Sequence, residues 1–152
     1  MLTKCFGIIS YFPDGELREI RKQKFYKLLE TLDTYFKLPL VIIAQNWDDV
    51  DLKYSNSIKI YKYTEPLGIT GARIVLREKL LEEDYDYYIF LDDDIEIRCN
   101  QKSVNNYLKN IDAHPGMFGK FDKFQLFAIS KYMLEKMNFD YIKDYESIRG
   151  EI

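Results

Sequence analysis

Tyr87-Tyr88-Ile89-Phe90-Leu91-Asp92-Asp93-Asp94-Ile95-Glu96 is the stretch that decides the fold. Its first five residues are aromatic or aliphatic without a break, the pattern of a strand buried on both faces, as in a parallel sheet. The chain then runs straight into consecutive carboxylates. Carboxylates held together at the end of a buried strand raise one another's pKa unless a cation neutralises them. In an extended segment residues two apart share a side, so Asp92 and Asp94 converge while Asp93 points away. Magnesium and manganese take oxygen ligands, commonly one or two carboxylates together with substrate phosphates. An acidic run in isolation also fits a solvated loop; its place at the end of a buried strand favours a metal–nucleotide site.

Upstream, Lys4-Cys5-Phe6-Gly7-Ile8-Ile9-Ser10 and Leu40-Val41-Ile42-Ile43-Ala44 have the same unbroken apolar character, and residues 58–63 alternate as a strand near a sheet edge does. Helical periods lie between them. From Glu16 onward Leu17, Ile20, Phe25, Leu28, Leu32 and Tyr35 recur on one face, with Arg18, Arg21, Lys22 and Lys27 off it and Asp14 placed to cap. Leu38-Pro39 ends that helix. Residues 45–52 are polar, with room for a short helical turn. Thr70 is placed to cap a helix reaching Glu83, with Ile69, Ala72, Val75, Leu76 and Leu80 facing inward. The order β-α-β-(α)-β-α-β implies βαβ units with right-handed crossovers and a ligand crevice at the carboxyl ends of the strands. Downstream, Ser103 is expected to cap a helix carrying Val104, Tyr107, Leu108 and Ile111. Residues 123–129 read as another strand, and Ser130 as the cap of a helix with Met133, Leu134 and Met137. Residues 138–152 are polar with scattered aromatics.

The chain of 152 residues is long enough for one domain with an ordinary core, and its 47% hydrophobic share is that of a globular protein. Net charge is -3 with both signs interspersed, which gives no support to nucleic-acid binding. With two cysteines and a single histidine there is no disulfide framework, no zinc spacing and no His-rich metal centre. His114 lies in an Ala-His-Pro-Gly turn and is discounted as a triad base. The first ten residues are too short for a signal peptide, and there is no run of about 18 apolar residues to span a membrane. A cytoplasmic protein is expected, with attachment to a membrane surface left open.

Two segments together resemble the GT-A glycosyltransferases, especially the large family 2 group. Leu67-Gly68-Ile69-Thr70-Gly71-Ala72-Arg73 is similar to that family's Gly-x-x-x-Ala-Arg-Asn segment, and Tyr88-Ile89-Phe90-Leu91-Asp92-Asp93-Asp94 to its motif strand and DxD. Phe127-Ala128-Ile129-Ser130-Lys131 resembles the strand-to-helix step that follows. The resemblance covers most of the chain. It implies an α/β, Rossmann-like GT-A nucleotide-diphospho-sugar transferase fold, with a mostly parallel central sheet flanked by helices. Residues 1–99 would form the nucleotide-sugar-binding half, and residues 100–152 a partial acceptor-side half.

The same resemblance implies a UDP-sugar or related donor, a glycan or lipid-linked acceptor, and Mn2+ or Mg2+ bridging the diphosphate. Asp94 would ligate the metal, with Asp92 or Asp93 on the ribose or the metal's water. Ser10, Tyr11 and Phe12 would line the nucleotide pocket, and Arg73 would meet the diphosphate. Ile74 stands where the family has Asn. The residue that reads the base at the end of the second strand would be Gln45, Asn46 or Asp48, or would be lacking. Trp47 reads first as a structural loop residue and second as a base-stacking one. The catalytic base is sought among Asp144, Glu146 and Glu151. Phe139-Asp140 and Gly150-Glu151 resemble the approach to the family's Glu-Asp pair, with Ile152 where the Asp is expected. A truncated or minimal domain, needing a partner chain, is one consequence. A non-catalytic nucleotide-sugar-binding domain is the main alternative. A HAD-type phosphotransferase ranks below it, because Glu96 stands where that signature wants Thr or Val.

Overall fold

The computed structural model describes residues 2–114, 117–120 and 126–137. Its strands are β1 (Lys4–Tyr11), β2 (Leu40–Gln45), β3 (Ile58–Tyr63), β4 (Tyr87–Asp92), β5 (Met117–Lys120) and β6 (Leu126–Ser130). The helices are α1 (Leu17–Thr31), which continues into a π-helical turn at Leu32–Phe36, α2 (Gly68–Leu81), α3 (Gln101–Asp112) and α4 (Lys131–Lys136). The strands form one sheet in the order β3-β2-β1-β4-β6-β5. β1 pairs parallel with both β2 and β4, β2 pairs parallel with β3, and β6 runs antiparallel to β4 and β5. This is the mostly parallel, helix-flanked α/β sheet expected from the sequence, with β3 on an edge.

The buried strands feed both faces, which is why they read as unbroken apolar runs. Phe6, Ile8, Leu40, Ile42, Ile89 and Leu91 pack with Phe25 and Leu28 of α1 and with Val104, Tyr107 and Ile111 of α3. On the other face Cys5, Val41, Ile43 and Tyr88 pack with Leu76 and Leu80 of α2 and Leu134 of α4. Each such side chain stabilises the fold by about 1.5–3 kcal/mol relative to exposure. Gly7 lets α2 sit close on β1: a Cβ there would lie 2.8 Å from Leu80 Cδ1.

Several local expectations are corrected. Leu17 and Ile20 are 61% and 53% exposed, because the start of α1 lies over polar loops and turns Arg18 and Lys22 inward instead. The stripe Arg18, Lys22, Phe25, Leu29 keeps the helical period with cations in its first turns. Asp14 does not cap α1; the cap position is Glu16, with no side-chain bond. Thr70 lies inside α2, buried, and Ile69 is 70% exposed. The helix starts earlier because the Leu67 amide finds its partner in Gln45 Oε1, at 2.8 Å. Residues 46–52 form no helical turn. Asn100 caps α3, and Ser103 completes a reciprocal capping box with it. Ser130 caps α4 as expected, accepting from the Met133 amide at 3.2 Å. The strand expected over residues 123–129 is described from Leu126 onward.

Candidate functional site

From β1 the chain winds outward through β2 to β3, then returns across the sheet to place β4 on the other side of β1. The carboxyl ends of β1 and β4 therefore flank a topological switch point, where crossovers diverge and a ligand crevice opens. Ile9 is in register with Asp92, and Tyr11 with Gln45. Ser10, Tyr11, Asn46, Asp92 and Asp93 thus lie at one end of the sheet, but Ser10 and Asp93 are buried there, away from any ligand, contrary to expectation.

The chain turns after Asp92, and exposure alternates along the three aspartates. Asp92 and Asp94 are exposed and make no hydrogen bond or ion pair among the described residues, whereas Asp93 is only 4% exposed. Asp93 Oδ1 accepts from Arg21 Nη2 at 2.7 Å, and Oδ2 accepts from the Tyr11 amide at 3.0 Å. The Ser10 hydroxyl is a further donor. Burial pushes the Asp93 carboxyl up, and these donors pull it only part of the way back. Burial disfavours the Arg21 charge, yet the bond to Asp93 and the fields of all three aspartates hold the guanidinium above its ordinary value.

Phe12, Phe25 and Trp47 form an aromatic cluster between the end of β1, α1 and the loop after β2. Trp47 stacks on Phe12 with ring centres 5.3 Å apart and planes within 8°. Phe25 meets both rings edge-on. Trp47 Nε1 donates to Ser10 Oγ at 2.9 Å. Phe12 is fully buried in this cluster, so it shapes the first loop and presents no face to a ligand, contrary to expectation. Trp47 is thus held in the scaffold through its ring and its Nε1–H.

Two of the residues considered for base reading are committed to the scaffold. Gln45 is buried, donating to the Ser10 carbonyl at 3.2 Å and accepting from the Leu67 amide. Asn46, in a left-handed conformation with φ 58°, donates to the Phe12 carbonyl at 2.8 Å and to Asp14 Oδ1 at 3.2 Å. Asp48 binds Arg18 and Lys22, and these hydrogen bonds push its carboxyl down to about 2. Arg18 also donates to the Phe12 and Asn46 carbonyls at 3.0 and 2.7 Å. Arg73 is exposed on α2 with no partner among the described residues. Asp144, Glu146 and Glu151 lie outside the described residues.

Sequence reasoning missed Arg18, Arg21 and Lys22, which the helical period had assigned to solvent. Their signal was spacing: cations on the stripe that Phe25 and Leu29 continue, directly after the first strand.

Among the described residues no group of three or more His, Cys, Asp or Glu side chains is arranged to hold a metal. Asp92 and Asp94 are the available oxygen donors. A donor set of one or two carboxylates fits magnesium or manganese that completes its shell with water and phosphate oxygens. Asp94 also borders a groove of about 240 Å³ lined by Lys24, Lys27, Ile95 and Glu96. A larger concavity of about 380 Å³, lined by Tyr26, Asp33 and Lys53, sits on the flank of α1 and includes no strand end.

No family model matches the sequence, and no curated protein matches it by sequence. Solved structures do match. The 1–349 fragment of S. aureus TarS superposes with TM-score 0.61 at 14% identity, over 89% of this chain and 49% of that one. A protein from Desulfovibrio desulfuricans G20, described as a putative nucleotide-diphospho-sugar transferase, gives TM-score 0.56 at 14% identity, over 92% and 67%. The chain shares the α/β fold of these two structures. CMP:2-keto-3-deoxy-manno-octonic acid synthetase, complexed with CTP, shares it with TM-score 0.59 at 9% identity, over 97% and 84%. The chain spans about half the length of the TarS fragment. Among the described residues no helix is long and apolar enough to cross a membrane.

Proposed function

We propose that the chain binds a nucleotide-diphosphate sugar in the crevice between β1 and β4 and transfers the sugar to a hydroxyl acceptor. The observation that carries this reading is the pair Asp92 and Asp94, exposed and without a partner among the described residues, at the switch point of this fold. The two carboxylates would hold Mn2+ or Mg2+. Bound there, the metal supplies positive charge beside the diphosphate that leaves with the nucleotide. Tyr11 forms the β1 side of the crevice, and Arg73 offers phosphate oxygens a guanidinium with no partner among the described residues. A uridine base is the working choice, read by groups other than Gln45 and Asn46, which the scaffold engages. The acceptor, a glycan or lipid-linked hydroxyl, needs a carboxylate base within hydrogen-bond reach. Asp144, Glu146 and Glu151 are its candidates, and a cytoplasmic setting suits such a donor.

Incubation with UDP-sugars and manganese, with and without candidate acceptors, tests the reading. Slow donor hydrolysis that falls in Glu151→Gln supports it. Turnover of no nucleotide-sugar despite binding supports instead a non-catalytic donor-binding domain. Turnover of a nucleoside triphosphate in place of a nucleotide-sugar moves the assignment to nucleotidyl transfer, a reading that the shared fold of the CTP-complexed synthetase brings into view.

A further inference from the structure

The acidic turn after β4 contains one carboxylate that a ligand does not reach. Asp93 is buried, and both its oxygens are engaged, one by Arg21 Nη2 at 2.7 Å and the other by the Tyr11 amide at 3.0 Å. Arg21 approaches from α1, on a different element from either strand of the crevice.

We propose that Arg21 is a positioning residue for the cation site: through Asp93 it locks the turn so that Asp92 and Asp94 both face outward as a ligating pair. This rests on the metal–nucleotide reading of the same turn. Two arguments carry it. Consecutive carboxylates repel, and an isolated turn relieves that repulsion by splaying them. A half-buried cation on the middle one removes part of the repulsion and holds that carboxylate inward, while its neighbours stay exposed. The same carboxylate accepts from Tyr11 at the end of β1, so one ion pair sets the spacing between the two walls of the crevice.

The second argument is that the pair is built poorly as a stability device. Asp93 is desolvated, and Arg21 meets it through one nitrogen, while its buried Nε has no partner among the described residues. A stabilising Arg–carboxylate pair is typically bidentate with its other donors satisfied, and replacing a buried pair by apolar groups is often neutral. What the arrangement achieves is direction. Groups that orient metal ligands from behind are commonly worth about 10–100-fold in metal affinity.

The test uses the full chain, with Mn2+ and UDP as probes and free manganese read by electron paramagnetic resonance. Arg21→Ala should weaken Mn2+ binding in the presence of UDP by about 10–100-fold. Arg21→Lys should recover part of the loss, because the native contact is through a single nitrogen. The double variant Arg21→Ala/Asp93→Asn removes the uncompensated buried charge and should fold, melting close to the parent, yet stay weak for manganese. Parental affinity in Arg21→Ala or in the double variant overturns the proposal and leaves the transferase reading standing. A parent chain that binds no manganese with UDP overturns both.

Discussion

The indole Nε1 of Trp47 donates to the hydroxyl of Ser10 at 2.9 Å while its ring stacks on Phe12. One side chain thus ties the loop after β2 to the end of β1. Trp47→Phe keeps an aromatic ring and removes the hydrogen bond. It should cost about 1 kcal/mol in urea unfolding, the usual worth of one such bond, and leave manganese–nucleotide affinity unchanged. A large loss of affinity at parental stability would mean that Trp47 contacts the base.

Gly7 makes a second, purely structural prediction. Gly7→Ala places a methyl group 2.8 Å from Leu80 Cδ1. Overpacking of this kind should destabilise by about 1–3 kcal/mol, seen as a lower urea midpoint with an unchanged slope.

Much of this arrangement was legible in the sequence. The strand Tyr87–Asp92 follows from its unbroken apolar run; exposure still alternates across Asp92, Asp93 and Asp94, although the chain turns after Asp92. The Ser130 cap was legible because its bond is local. Leu17 and Ile20 misled, because a helical period identifies a face without saying how far the sheet beneath it extends. Beyond the sheet the partners of α1 are carbonyls and carboxylates, and Arg18, Arg21 and Lys22 take the inward positions. Phe12, Gln45 and Asn46 stood at the right end of the right strands; their engagement with the scaffold depends on contacts 22 to 35 residues away in sequence, which local pattern does not encode.

Asp48 gives a pH prediction. Hydrogen bonds from Arg18 and Lys22 hold its carboxyl at about 2 in the folded chain. A carboxyl held lower in the folded than in the unfolded state adds stability that is complete above the ordinary range near pH 4, and that disappears as pH falls through the folded value. The contribution should therefore be intact at neutral pH and be lost between about pH 4 and about pH 2. Asp48→Asn should flatten that part of the stability curve, measured by urea unfolding at a series of pH values. An unchanged acid limb would show that the loop bonds do not persist in solution.

Asp94 separates a ligand-binding carboxylate from a structural one. It is exposed and unpartnered among the described residues, so Asp94→Asn should keep the parental melting temperature. Asp93→Asn should not, because it leaves Arg21 facing a neutral group in a buried setting. Calorimetric melting of the two variants checks the contrast; equal loss in both would place Asp94 in the scaffold.

The central claim is that the crevice between β1 and β4 holds a nucleotide diphosphate through a divalent cation on Asp92 and Asp94. Isothermal calorimetry of the chain with a UDP-sugar, in manganese and again in excess chelator, tests it most directly. The account predicts binding in manganese that disappears with the chelator and is lost in Asp94→Asn, because the carboxylates and the diphosphate repel without the cation. Equal affinity in both conditions, or undiminished binding in Asp94→Asn, would contradict it.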